Sequence, residues 1–297
     1  MILSASYRTD VPAFYPDWFI QRLRQGFCHI QNPRTHSMWR INLSPTNIDG
    51  IVFWTKNASP ILPHLDEIKD MGLPFMFQFS LTAYSTHLPA LEPRVPTAFI
   101  CIDAMHQLAE KYGPQVPVWR YDPIIFTNKT TEDFHLDNFR SLAAALAGAT
   151  NCVVISFCQM YPKTKRNLTS AARQHNFRWE DPSPERKLAL GQKLTKIAGD
   201  FGISLYLCSQ GDLLGDSLPP ASCVDAKRLS VIAGKTIKAE LKPNRPACKC
   251  YKSTDIGAYQ TCAHGCAYCY AVDNHERALA NQQGHTTLNT SLVPMAA

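Results

Sequence analysis

Three cysteines close to the C-terminus have the spacing of a metal site that can do chemistry. Cys262, Cys266 and Cys269 follow the pattern C-x3-C-x2-C, and Tyr268 stands just before the last of them. Three thiolates bind three irons of a cubane [4Fe–4S] cluster and leave the fourth iron open. An open metal position distinguishes a catalytic site from a closed structural one. The spacing therefore predicts a catalytic iron–sulfur cluster.

Zinc is the alternative metal for this region. Cys248, Cys250 and His264 lie near the three cysteines, and together these side chains include enough thiolate and imidazole ligands for a tetrahedral zinc knot. The short C-x3-C-x2-C run favours iron–sulfur, and the zinc site stays open as the second interpretation.

The composition is that of a reduced, globular protein. The chain has 297 residues, 45% of them hydrophobic, which suffices for one large domain over residues 1–297. Its eleven cysteines are an odd number, and several stand in apolar runs, which suits thiols and metal ligands better than disulfides. We find no signal peptide and no apolar run of about 18 residues, so we expect a cytoplasmic protein without a membrane partner. A net charge of +6 permits a polyanionic partner without requiring one.

Short apolar runs alternate with helical patterns, which predicts an α/β fold with a parallel sheet, either a barrel or an open doubly wound sheet. The predicted strands are Ile2–Ser6, Ile51–Lys56, Phe75–Leu81, Val116–Ile125, Cys152–Phe157 and Ile203–Cys208. The predicted helices are Asp17–Gln25, Pro60–Met71, Ala98–Tyr112, Leu136–Leu146 and Pro184–Phe201.

Five of these strands end in polar residues, which is where a barrel builds its active site. The ends carry Ser6-Tyr7-Arg8-Thr9-Asp10, Trp54-Thr55-Lys56-Asn57, Gln78-Phe79-Ser80, Arg120-Tyr121-Asp122-Pro123 and Ser156-Phe157-Cys158-Gln159. One such end is typical of any strand that meets solvent, but five on one side of a sheet indicate a pocket.

The cysteine motif resembles that of the radical S-adenosylmethionine (SAM) superfamily. The strand ends, with Leu91-Glu92-Pro93-Arg94-Val95-Pro96, are similar to its spore photoproduct lyase branch and to an uncharacterised bacterial family related to those lyases. The resemblance implies a radical SAM-type partial (β/α) barrel. It also implies that a reductant such as flavodoxin or ferredoxin reduces the cluster, which cleaves SAM to a 5′-deoxyadenosyl radical that abstracts hydrogen from a substrate.

The position of the motif departs from the superfamily, whose members carry it near the start of the barrel. Here it follows a short predicted strand, Asp255–Tyr259, at the far end of the chain. The simplest explanation is a circular permutation, in which Asp255–Tyr259 is the first barrel strand and Ile2–Ser6 the second. Residues 255–271 then form the catalytic cluster strand and loop.

The resemblance also assigns roles to individual side chains. Tyr268 and Tyr270 would lie near the adenine of SAM. The ribose and the methionine carboxylate would meet residues at the matching strand ends, namely Thr9, Lys56, Ser80 and Asp122. Cys158 is a candidate for the cysteine that returns hydrogen to the product radical, and an inert buried thiol is the alternative.

A second metal site is predicted in the segment 203–252. Cys248 and Cys250 form a C-x-C pair, and the related family carries cysteines at positions that match Cys208 and Cys223. We expect these four to hold an auxiliary iron–sulfur cluster; a zinc ion on the same ligands and scattered structural thiols are the alternatives.

The sequence carries the least information about the substrate. After the strand Cys152–Phe157 comes a predicted loop that contains Lys165 and Arg166 among aromatic residues, a pattern suited to phosphates and bases. With Arg8 and Arg120 on the strand ends, it predicts a nucleic acid or nucleotide substrate, unless the loop is only a solvated edge. A peptide or small metabolite is the alternative substrate, and a redox-sensing or structural metal protein without SAM turnover is the alternative function.

Overall fold

The protein is a mixed α/β molecule, here in a computed structural model that describes residues 1–243, 245 and 247–293. The predicted domain and auxiliary segment thus include positions outside the described residues, namely 244, 246 and 294–297. The strands are β1 (Ile2–Ala5), β2 (Phe27–Gln31), β3 (Met38–Asn42), β4 (Gly50–Thr55), β5 (Phe75–Ser80), β6 (Pro117–Ile124), β7 (Phe126–Thr127), β8 (Cys152–Phe157), β9 (Trp179–Glu180), β10 (Ser204–Leu207) and β11 (Ser253–Asp255).

The helices surround this strand framework, and in the described chain none is long and apolar enough to cross a lipid bilayer. They are α1 (Val11–Phe14), α2 (Pro16–Gln25), α3 (Leu65–Asp70), α4 (Tyr84–His87), α5 (Ala98–Tyr112), α6 (Glu132–Ala145), α7 (Pro162–Gln174), α8 (Pro184–Asp200), α9 (Ala226–Ala233) and α10 (His275–Gln283). Short 3₁₀ turns lie at Pro45–Asn47, Ser59–His64 and Gly211–Leu213.

Seven strands form one parallel sheet in the order β10-β8-β6-β5-β4-β1-β11. The predicted α/β class and its six strands are confirmed. Within the described residues β10 and β11 remain the two edges of the sheet, so it is open and does not close into a barrel. The last strand in the sequence lies beside the first, since Ser4 of β1 pairs with Asp255 of β11. All seven strands therefore end at the same edge, and the segments that follow them converge there.

The predicted boundaries of the final strand were wrong. β11 covers Ser253–Asp255 rather than Asp255–Tyr259, because the Asp255 side chain ends the strand by binding the chain around it. The Asp255 carboxylate accepts hydrogen bonds from Ser4 Oγ at 2.8 Å, Ser6 Oγ at 2.7 Å and the Gly257 N–H at 3.0 Å. The carboxylate thus turns the chain away from the sheet and fastens β11 to β1.

The prediction of a basic loop after β8 was also wrong, because these residues form helix α7. Pro162 occupies its first turn, and Thr164, Leu168 and Ala172 form a buried face at four-residue spacing. The many charged residues between them obscured this periodicity in the sequence. The other clear difference is the helix predicted at Pro60–Met71. It begins as a 3₁₀ turn, because Pro63 has no N–H for an α-helical hydrogen bond.

A cavity at the carboxyl edge of the sheet

One large cavity lies at the carboxyl edge of the sheet, with a volume of about 850 Å³. Its walls bring together most of the predicted site residues: Arg8, Thr9, Lys56, Ser80, Arg120, Asp122, Cys158, Cys208, Cys223, Cys248, Cys250, Cys262, Cys266, Cys269, Tyr268 and Tyr270. Two predicted substrate residues, Lys165 and Arg166, do not line it. They lie on the exposed side of α7 along a separate surface depression.

The three-cysteine motif forms a loop on the wall of this cavity. Burial, and then the proximity of the other two thiols, raises the pKa of Cys262; burial also raises the pKa of Cys266 and Cys269. Backbone N–H groups point at the sulfurs, from His264 to Cys262 and from Ala271 to Cys269 at 3.4 Å. Clustered, partly buried thiols with N–H donors are the ligand set that a thiophilic metal centre needs, and metal binding would release their protons.

His264 holds this loop and is not a ready metal ligand. Its Nε2 lies 2.8 Å from Asp10 Oδ2, and its Nδ1 lies 3.3 Å from the Arg94 carbonyl oxygen. Asp10 also accepts from the Lys56 N–H at 2.8 Å, so one carboxylate joins the ends of β1 and β4 to the motif. Both ring nitrogens are therefore engaged, which argues against His264 in a zinc knot. Sequence reasoning did not assign a role to Asp10; its place between two strand ends becomes clear only in the fold.

Lys56 and Tyr268 share a buried acid that the sequence did not single out as a site residue, Glu92. Lys56 Nζ lies 2.8 Å from Glu92 Oε1, Thr82 Oγ1 donates to the same oxygen at 3.0 Å, and the Tyr268 hydroxyl also donates to it. Burial by itself lowers the pKa of Lys56, but the Glu92 carboxylate reverses this effect and the net pKa is raised. Lys56 thus stays charged beside the cavity, although it is already paired.

Asp122 and Arg120 form a second buried ion pair, at the end of β6. The Arg120 Nε donates to Asp122 Oδ2 at 3.0 Å, and the Ser156 hydroxyl donates to Asp122 Oδ1. Burial works to raise the pKa of Asp122, but Arg120 outweighs it and the pKa is lowered, so the carboxylate is ionised. The ring of Trp54 lies 5.4 Å from the guanidinium of Arg120 and forms part of the same wall.

Thr9 differs from these paired residues. Its hydroxyl oxygen is buried on the cavity wall and, among the described residues, has no hydrogen-bond partner. A buried hydroxyl without a partner is costly unless something else satisfies it. The residue is therefore suited to bind a polar group that enters the cavity.

Four other predicted residues also line the cavity, and three of them, Arg8, Tyr270 and Cys158, contact neighbouring parts of the fold. Arg8 Nε lies 2.9 Å from Asp255 Oδ1 and helps to hold β11 against β1. The Tyr270 hydroxyl donates to the Tyr7 carbonyl oxygen. Cys158 packs in an apolar cluster with Leu168 while still touching the cavity, and burial raises its pKa to about 12. Ser80 lies half-buried on the cavity wall at the end of β5.

In the described chain, no group of three or more His, Cys, Asp or Glu side chains is already arranged as a metal site. The donor set still fits an iron–sulfur cluster, because three thiols and their N–H donors lie on the wall of a cavity that has room for a ligand.

The chain belongs to the family described as a domain of unknown function (DUF1848), which it matches over residues 2–271. A comparison with curated proteins found no match. The family match extends from β1 to the residues just after the cysteine motif.

Proposed function

We propose that this protein is a radical SAM enzyme, related to the spore photoproduct lyase branch, whose sheet is a circularly permuted radical SAM-type partial barrel. The observation that carries the proposal is the convergence of Cys262, Cys266 and Cys269 with the five polar strand ends on one cavity. The order of the sheet supports the permutation, because β11 and the motif that follows it lie next to β1.

The chain's own residues would hold the cofactors in distinct ways. The three cysteines would hold a [4Fe–4S] cluster, which with SAM supplies one-electron cleavage of the cofactor and hydrogen abstraction from a substrate. Thr9 would donate a hydrogen bond to a polar group of SAM. Asp122, ionised and held by Arg120, would accept hydrogen bonds from ribose hydroxyls. Lys56 would attract the methionine carboxylate while remaining anchored by Glu92.

The test is formation of 5′-deoxyadenosine. Wild-type protein is reconstituted anaerobically with iron and sulfide, reduced with dithionite and incubated with SAM, and the nucleoside is quantified by mass spectrometry. We expect Cys262→Ala, Cys266→Ala or Cys269→Ala to lower its formation at least about 100-fold, because each removes one of three cluster ligands. Cys28→Ala is the control, since Cys28 is a buried cysteine that lies on β2, away from the cavity.

Two outcomes would contradict the proposal. One is a triple Cys→Ala variant that still forms 5′-deoxyadenosine. The other is wild-type protein that loads a stable cluster but does not cleave SAM, which would favour a redox-sensing or structural metal protein. Reduction by flavodoxin or ferredoxin in place of dithionite tests the expected protein partner.

The substrate we propose is a nucleic acid or nucleotide, and the basic surface of α7 supports this class. Lys165, Arg166 and Arg173 line its outer depression, and Lys163 on the same helix lines the cavity. A polyanion that follows this surface would reach the mouth of the cavity. Peptides and small metabolites are the alternatives.

We expect Lys165→Glu combined with Arg166→Glu to weaken binding of single-stranded oligonucleotides at least about tenfold, because phosphate contacts are lost and two repulsive charges are added. Fluorescence anisotropy at several salt concentrations measures this, and wild-type affinity should fall steeply with salt. Lys193→Glu with Lys196→Glu makes the same charge change on α8 and controls for net charge. Equal weakening by both pairs, or no binding by wild-type protein, would contradict a specific role for α7.

A further inference from the structure

A second group of cysteines converges on the cavity from three separate segments of the chain. Cys208 directly follows β10, Cys223 lies between β10 and α9, and Cys248 and Cys250 precede β11. The sulfurs of Cys208 and Cys223 are 3.6 Å apart. The thiols of Cys223 and Cys250, and those of Cys250 and Cys248, are close enough to shift each other's pKa. The four sulfurs thus form one contiguous cluster.

Backbone hydrogen bonds hold these segments together. The Cys208 N–H donates to the Ile155 carbonyl at 2.9 Å, and the Ala221 N–H donates to the Leu207 carbonyl at 2.8 Å. The Tyr251 N–H donates to the Val224 carbonyl at 3.0 Å. The cysteines therefore meet because the fold joins their backbones, and not through sequence proximity alone.

N–H donors and a guanidinium point at three of the four sulfurs. Arg120 Nη1 donates to Cys223 Sγ at 2.9 Å, the Val224 N–H donates to Cys250 Sγ at 3.4 Å, and the Cys250 N–H donates to Cys248 Sγ at 3.4 Å. Such donors support the sulfurs of thiolates that a metal ion holds. In the described chain none of the eleven cysteines forms a disulfide.

We propose that Cys208, Cys223, Cys248 and Cys250 bind one tetrahedral metal ion, of which zinc is the expected occupant. A zinc–thiolate bond is about 2.3 Å long, so neighbouring sulfurs of a tetrahedral site are about 3.8 Å apart. The 3.6 Å between Cys208 and Cys223 matches this spacing. A cubane cluster separates its cysteine sulfurs more widely, because each thiolate binds a different iron. Four thiolates also form a closed ligand set with no open position, which is the set of a structural zinc site; the auxiliary iron–sulfur cluster expected from the sequence is the alternative.

This centre lies on the wall of the ligand cavity, and Arg120 links it to Asp122. Arg120 bridges Cys223 and Asp122, and the Gln78 side-chain oxygen accepts from the same Arg120 nitrogen at 3.1 Å. Loading the four cysteines would fix Arg120, and Arg120 in turn orients the Asp122 carboxylate. The ion would have a structural role, closing the loops that end the sheet at β10.

The test uses full-length protein in which Cys262, Cys266 and Cys269 are all changed to Ala, so that only the second site can hold metal. We expect about one zinc per chain by inductively coupled plasma mass spectrometry after removal of loosely bound ions. Adding Cys223→Ser and Cys250→Ser in that background should remove the zinc. Adding Cys28→Ser and Cys101→Ser should leave it, since these buried cysteines lie outside the cavity.

A second measurement covers variants that fail to fold. In otherwise wild-type protein, cobalt replaces zinc, and four thiolate ligands should give intense sulfur-to-cobalt charge-transfer absorption with the visible bands of tetrahedral cobalt. Iron with equal sulfide in the triple variant would overturn the single-ion assignment. Absence of any bound metal, or a Cys208–Cys223 disulfide in the anaerobically purified protein, would overturn the site. The metal measurements on this second site and the 5′-deoxyadenosine assay are independent readouts, so each proposal can fail while the other stands.

Discussion

At the scale of single residues, the cavity wall contains paired charges and one unpaired hydroxyl. Lys56 is neutralised by Glu92, and Asp122 by Arg120, whereas Thr9 Oγ1 has no partner among the described residues. The pairs explain how charged groups tolerate burial, and the hydroxyl indicates where a ligand would add a hydrogen bond.

Thr9→Val separates these roles. Valine has the same shape without the hydroxyl, so we expect unchanged or slightly raised thermal stability, because a buried unsatisfied group is removed. Binding of SAM to the reconstituted protein should weaken by about 3- to 10-fold, the worth of one hydrogen bond. Differential scanning fluorimetry and calorimetric titration measure the two effects. A destabilised variant with wild-type affinity would show that the hydroxyl has a structural partner.

Position 257 requires glycine, because the side chain of Ser6 comes very close to the backbone there. A Cβ atom at this position would lie 1.9 Å from Ser6 Oγ and 2.6 Å from Ser6 Cβ, at the junction of β1 and β11. Gly257→Ala should therefore reduce the free energy of unfolding by about 2 kcal/mol or more, as overpacking does. Gly199→Ala is the control, because its Cβ would meet no atom within 4 Å and its helix should gain stability. Chemical denaturation compares them; equal stabilities would mean that β11 is not fastened to β1 in this way.

At the scale of elements, helix α6 brings a buried histidine into the core. His135 Nδ1 accepts from the Tyr121 hydroxyl at 2.8 Å, and Nε2 donates to the Ile125 carbonyl at 3.0 Å. Both bonds are made by the neutral imidazole. Burial lowers the pKa of His135 to about 4. The residue therefore links α6 to β6 only while it is uncharged.

This histidine should make stability depend on pH. Between pH 6.5 and about 4 the unfolded chain binds a proton at this residue and the folded chain does not. The stabilisation is complete above pH 6.5 and is lost on acidification, at up to about 1.4 kcal/mol per pH unit. His135→Gln should remove that part of the slope, measured by urea unfolding from pH 7 to 4.5. His175→Gln removes an exposed imidazole as the control; equal slopes in both variants and wild type would contradict the assignment.

At the scale of the whole molecule, the segment after the motif packs on α2 and β2. The Trp18 Nε1–H donates to the Asn289 carbonyl at 2.7 Å, the Arg22 guanidinium donates to the Thr287 carbonyl at 3.2 Å, and the His29 N–H donates to the Thr290 carbonyl at 2.7 Å. Trp18 and Arg22 are each only 1% exposed. The C-terminal segment therefore completes the cover of α2 and β2.

Ending the chain after Asp273 should uncover these side chains and lower the free energy of unfolding by about 2 to 4 kcal/mol. Circular dichroism melting of the truncated and full-length proteins measures the loss. Leu288→Ser is the control, because Leu288 is 83% exposed and makes little of this cover. Unchanged melting would mean that the segment does not stabilise the fold.

The amino-acid sequence by itself determined the central sheet. Its six long strands are buried apolar runs bounded by polar residues, and such runs have few alternatives in an α/β chain. Helix α5 coincides with the prediction Ala98–Tyr112, because a strong apolar periodicity and Gly113 mark it. The polar strand ends and the cysteine motif could also be identified from the sequence, because residue types and spacing are local properties.

Only the tertiary structure decided which residues meet. The pairing of β11 with β1 joins residues about 250 positions apart in sequence; no local pattern specifies it, and only the resemblance to the radical SAM superfamily predicted that these two strands are neighbours. The pairing of Glu92 with Lys56 and of Asp10 with His264 depends on long-range contacts of the same kind. The true bounds of β11 and the helical form of α7 followed from tertiary burial, which overrode what the local sequence indicated. The sequence thus determines which chemical groups are available, whereas packing determines the distances between them that make a site.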